Sequence, residues 1–80
     1  MYGLAITTLD EFGAASTYIE YAEDQQLAVE RMNWIAEDAE KHGWRVLNSS
    51  YWAIWLQEYV NGMPRQKAFL QVAPLRKIKI

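Results

Sequence analysis

The sequence predicts an α+β fold, one helix packed on a mainly antiparallel sheet in the order ββαβββ, and three features carry that expectation. Apolar residues recur at helical spacing between Asp24 and His42. An Asn61-Gly62 dipeptide divides two runs rich in aromatic and branched residues, Tyr51 to Val60 and Met63 to Val72. Shorter β-prone runs, Tyr2 to Thr7, Ser16 to Ala22 and Trp44 to Leu47, lie to either side of the helix. With 80 residues, 51% of them hydrophobic, and no linker or low-complexity tract, the chain reads as one compact domain, 1–80.

The helix is marked along its length and at both ends. Ala28, Val29, Met32, Ile35, Ala36 and Ala39 form one apolar stripe, with Glu30, Arg31, Glu37, Asp38 and Lys41 elsewhere on the cylinder. Asp24 can cap the first turn, Lys41 and His42 suit the negative end of the dipole, and Gly43 can take the left-handed stop position.

In the hairpin, Asn61-Gly62 tolerates the two positive φ angles of a type I′ turn. An ideal two-residue loop sets Val60 opposite Met63, Glu58 opposite Arg65, Trp55 opposite Ala68 and Ile54 opposite Phe69, so an ion pair and an aromatic pair fall into line. One face then carries Trp55, Ala68, Leu70 and Val72, and the other Trp52, Ile54, Leu56 and Phe69, with Arg65 and Lys67 among them. Pro64 lacks a donor, so the second strand should be an edge there. A helix from Ser50 to Val60 is the competing reading, because Trp52, Trp55, Leu56 and Tyr59 also fit helical spacing.

Toward the start, Thr8-Leu9-Asp10-Glu11 offers an alternative to two strands, since it fits the capping box of a first helix. At the other end, residues 75–80 form either a short edge strand or a basic tail.

Composition narrows the classes of function. The absence of cysteine excludes a disulfide framework, a thiolate zinc site and a thiol nucleophile, and makes a reducing, cytoplasmic setting the expectation. Tyr2 to Ile6 is too short for a signal-peptide core, and no stretch reaches the roughly 20 apolar residues of a membrane span. The net charge of -2 conceals a division: residues 1–42 hold nine acids against Arg31 and Lys41, and residues 43–80 hold six bases against Glu58. That division predicts either two mutually attracting halves or an acidic face and a basic face for different contacts.

Catalytic chemistry is sparse. His42 is the single histidine, set at a helix end among charges, where capping or solvent exposure is its expected role. Glu37, Asp38 and Glu40 lack calcium-loop spacing, Glu23 and Asp24 serve the helix start, and no GxxxxGK[ST] or GxGxxG loop is present. The chain is therefore expected to be no enzyme and to need no cofactor or metal.

Surface is what remains. One helix can cover only one face of a three- to five-stranded sheet, yet both faces of the hairpin are apolar or aromatic, so one should stay open for a partner. Trp52, Ile54 and Phe69 with Arg65 and Lys67 are the candidate contact residues there, and Glu37, Asp38 and Glu40 offer a second contact for a basic partner. A short cysteine-free chain built as strand, capped helix Asp24 to His42, and strands with the Asn61-Gly62 hairpin resembles the small inhibitors encoded by bacteriophages, among them the anti-CRISPR proteins. The resemblance implies a non-enzymatic blocker in the host cell cytoplasm that docks on a bacterial CRISPR effector or other host complex. It also implies that Glu37, Asp38 and Glu40 occupy a nucleic-acid-binding surface of that complex, although a net charge of -2 is far from that of the strongly acidic DNA mimics in the group. Two other classes stay open: a nucleic-acid-binding sheet using Tyr51, Trp52 and Phe69 with Arg45, Arg65 and Lys67, which a pI near 5.2 disfavours, and a self-associating structural subunit such as a homodimer.

Overall fold

The computed structural model describes residues 1–75; of the segment expected to be an edge strand or basic tail, all but Leu75 lies outside them. Strands β1 (Tyr2–Leu9) and β2 (Ala15–Ala22) precede helix α1 (Gln25–Glu40), and β3 (Trp44–Ser49), β4 (Ala53–Val60) and β5 (Met63–Pro74) follow it. This is the expected ββαβββ order. The strands form one antiparallel sheet in the spatial order β2-β1-β5-β4-β3, so the last strand inserts between the first and the fourth.

Local chemistry explains each turn. Asp10 serves a β-turn instead of a helix start: its Oδ1 accepts the N–H groups of Phe12 and Ala14, both at 2.9 Å, and Gly13 takes φ +87°. That capping keeps the whole first segment in the sheet and rules out the helix that Thr8 to Glu11 would start. Asp24 caps α1 by accepting the Leu27 N–H at 2.9 Å, and Gly43 leaves the helix at φ +93°, a conformation a side chain would strain. Asn61 and Gly62 have φ of +52° and +78°, the pair of positive values a type I′ hairpin needs. Residues 53–60 are strand, because the ladders to β3 and β5 satisfy their backbone on both sides.

The hairpin register departs from the ideal one. Val60 faces Met63, but Gln57 faces Lys67, so Arg65 and Gln66 together oppose Glu58 alone. Such a bulge shifts every later pair by one residue and turns each side chain of β5 to the other face. Trp55 therefore pairs with Phe69, not Ala68, and Ile54 with Leu70, not Phe69. Arg65 bonds Glu11 of the β1–β2 turn at 2.6 Å instead of Glu58. The edge expected at Pro64 is present: β1 stops pairing at Lys67, so the first residues of β5 have a neighbour on the β4 side only.

The corrected register produces a single core between α1 and one face of the sheet. Leu4 and Ile6 of β1, Ile54 and Leu56 of β4, and Ala68, Leu70 and Val72 of β5 meet Ala28, Val29, Met32 and Ala36 of the helix. Ile35, Ala39 and Trp44 pack at its margin. Met32 lies at the centre with no exposed surface, whereas the Asp24 cap sits at the exposed rim. Truncation of Met32 to alanine should accordingly cost about 2–5 kcal/mol in urea unfolding and Asp24→Ala about 1 kcal/mol; equal costs would place the core elsewhere.

Candidate functional site

The helix covers one side of the sheet, and among the described residues no second helix or strand packs on the other. On that open side the register assembles rows of side chains across the strands. The middle row runs Thr17, Thr7, Phe69, Trp55 and Asn48 from β2 to β3, and the next runs Ala15, Leu9, Lys67, Gln57 and Arg45. Trp55 and Phe69 stack at 4.2 Å between centroids and 30° between planes, and Trp55 remains 49% exposed. Thr7 and Thr17 share a hydroxyl hydrogen bond of 3.0 Å. A second bulge, at Leu47 of β3, brings that residue alongside Trp55, Phe69, Leu9 and Lys67 around a shallow apolar depression of about 310 Å³.

The upper end of this face is closed by the chain itself. Gly3 lies under Leu75 and Ile19, whose methyl groups approach within 3.1 and 3.2 Å of where a Cβ would stand. Leu75 is anchored there by its N–H to the Met1 carbonyl at 3.0 Å. At the lower end Gln57 is 5% exposed, and its amide donates to the carbonyls of Glu58 and Gln66 at 3.1 and 3.0 Å. These are carbonyls of the bulge, so the one buried polar side chain of this strand has a structural reason to be there. It holds the irregularity that aims Trp55 and Phe69 outward.

The charges divide by face. Every strand position on the open side lacks a carboxylate, while Lys67 and Arg45 supply two cations, the latter 5.0 Å from the Tyr59 ring centroid. Glu20 and Glu58 pair with Leu4 and Trp44, which face the helix, and Glu30, Glu37, Asp38 and Glu40 lie on α1. Among the described residues, Lys67 and Arg45 thus lie on the open side and the helix acids on the other, while Arg65 meets Glu11 at the β1–β2 turn.

The sequence-derived candidates do not form one patch. Phe69 and Lys67 share the open face. Trp52 stands at the bend before β4, where its carbonyl accepts the Val72 N–H at 2.8 Å and its ring meets Tyr51 edge-on at 5.1 Å. Ile54 is 4% exposed beneath the helix, a correction that the β5 bulge explains. Arg65 lies on the overhang of β5, tied to Glu11. Glu37, Asp38 and Glu40 sit on the far side, with the Asp38 carbonyl accepting from His42 Nδ1 at 2.7 Å. Sequence reasoning missed Trp55 as the partner of Phe69, and also Leu47, Leu9 and Thr17; the bulges bring Trp55 and Leu47 to Phe69, and the regular pairing of β1 with β2 and β5 brings Leu9 and Thr17.

Beside the helix end, Thr8, Ile35, Asp38, His42, Trp44 and Leu56 help to line a cleft of about 370 Å³ where α1 leaves the sheet. Among the described residues no group of three His, Asp or Glu side chains is placed to hold a metal ion, and no helix is long and apolar enough to cross a membrane. No family model matches the chain, and comparison with curated proteins and with solved structures found no match. If Gln57 holds the bulge, Gln57→Met should lower stability by about 1–2 kcal/mol and shift the Trp55 indole resonance in NMR spectra; an unmoved indole would detach Gln57 from the face.

Proposed function

We propose that the chain acts by binding another protein across the open face of the sheet, with Trp55, Phe69 and Leu47 as the apolar centre and Lys67 and Arg45 as the charged rim. The observation that carries this reading is the Trp55–Phe69 stack, with Trp55 49% exposed, at the middle of a face that among the described residues only Leu75 overlies, at its upper end. Tryptophan, tyrosine and arginine are enriched among the residues that dominate interface energetics. The molecule measures 48 × 25 × 16 Å, so its broad side exceeds the roughly 800 Å² per partner of a standard interface. A face that bears cations and no carboxylate favours an acidic counter-surface.

The resemblance to small phage-encoded inhibitors supplies the class of partner, a bacterial CRISPR effector or other host complex, which the chain would block without catalysis. Glu37, Asp38 and Glu40, on the opposite side, are then free to face a basic groove of the same assembly. A second reading is favoured by the charge division: with the acids on the helix side, aromatic stacking at Trp55 and Phe69 beside Lys67 and Arg45 suits single-stranded nucleic acid.

Affinity capture from a nuclease-treated bacterial lysate with an active CRISPR system, using the parent and the W55S/F69S variant, separates these readings. The expected result is a defined protein complex retained by the parent and lost by a variant whose circular dichroism is unchanged. Retention by the variant would remove the open face from the interface, and recovery of oligonucleotide alone, steeply salt-dependent, would favour the second reading.

A further inference from the structure

The two edges of the sheet are not alike. Strand β3 has six residues and is interrupted by the Leu47 bulge, which twists its edge. Strand β2 has eight, pairs with β1 without a shift, and contains no proline, glycine or lysine. Its one charge, Glu20, is held by Arg31 Nε at 3.1 Å. Long, regular edges are templates for further pairing, and apart from Glu20 β2 has none of the proline, lysine or bulges that normally blunt them.

The ladder fixes which groups of this edge are open. The Asp10 N–H bonds the Ala14 carbonyl across the turn at 3.0 Å, and hydrogen-bonded and non-bonded pairs alternate from there. Ser16, Tyr18, Glu20 and Ala22 thus exchange bonds with β1, whereas Ala15, Thr17, Ile19 and Tyr21 turn their N–H and C=O groups outward. The Leu75 N–H bond to the Met1 carbonyl fits the same phase, since it assigns the odd residues of β1 to β5.

We propose that β2 pairs with β2 of a second copy, antiparallel about a two-fold axis, to join the two sheets into one. Symmetry selects the register. An outward residue must face an outward residue, so the axis passes at Thr17, Tyr18 or Ile19. With the axis at Tyr18, Ala15 faces Tyr21 of the second copy and Thr17 faces Ile19, and all four outward residues are paired. With the axis at Ile19, Ala15 would face Glu23, beyond the strand. The axis at Thr17 sets Tyr21 against Gly13 of the turn. The Tyr18 register also sets the two Tyr18 rings, each 58% exposed in the single chain, directly opposite as a close non-bonded pair. Glu20 then faces Ser16, and no like charges oppose each other.

This goes beyond the open-face reading and stands apart from it, because the edge runs perpendicular to that face; the dimer sets two open faces side by side. Sedimentation equilibrium of the full chain from micromolar to millimolar concentration tests it. The parent should approach twice the 9.3 kDa chain mass. Thr17→Val, which keeps the N–H, should match it, while Thr17→Pro, which removes that donor at the edge, should stay at single mass with unchanged circular dichroism. Tyr18→Glu sets two carboxylates on the axis and should raise the dissociation constant about tenfold, which decides the matter should the proline variant not fold. A parent at single mass throughout, or a Tyr18→Glu variant that dimerises like the parent, overturns the proposal; W55S/F69S should dimerise normally whatever becomes of its partner binding.

Discussion

The bulge that sets Arg65 and Gln66 of β5 against Glu58 of β4 is the constraint on which the rest of this structure depends. Strand side chains alternate between faces, so one inserted residue decides which of two apolar sets meets the helix. With the bulge in place, Leu70 and Val72 join Ile54 and Leu56 under α1, and Trp55 and Phe69 are sent to solvent together. Without it, Trp55 would share a face with Leu70 and Phe69 with Ile54, and neither face would be a consistent core. Gln57 stabilises the arrangement by donating its amide to the carbonyls of Glu58 and Gln66 at the bulge.

A small chain with one helix has one buried face of sheet and one open face. What distinguishes this open face is the way it is furnished. At its top Leu75 and Ile19 pack closely over Gly3, so that a side chain there would have to push their methyl groups aside. Its centre presents an aromatic stack, and its lower row carries cations without carboxylates. On the helix side Glu20 and Arg31 bridge sheet and helix, and at the β1–β2 turn Glu11 is held by Arg65.

Much of the fold is legible in the sequence where local chemistry decides the outcome. The helix from the Asp24 cap to Gly43, with its stripe from Ala28 to Ala39, is written in spacing and caps, and Asn61-Gly62 defines its turn by positive φ alone. The first segment is ambiguous because Thr8 to Glu11 fits a helix capping box while Asp10 can also cap a turn, and the pairing of β1 with β5, a contact of long sequence separation, favours the turn. The site is less legible. An ideal loop propagates an ideal register, and nothing local in Met63 to Lys67 announces an extra residue. Such a register puts Ile54 on the wrong face and pairs Trp55 with Ala68. The one available signal is Gln57, a polar residue between Leu56 and Glu58 in a strand otherwise rich in apolar side chains, whose amide needs partners such as a bulge provides.

The bulged register is tested most directly by the solvent exposure of side chains flanking it, read as attenuation of their NMR signals by a soluble gadolinium chelate. The register requires strong attenuation at the Trp55 indole and the Leu47 methyls, with the methyls of Ile54, Leu56 and Leu70 protected. Attenuation that separates Ile54 from Leu70, one exposed and the other protected, would restore the unbulged hairpin and remove the open aromatic face.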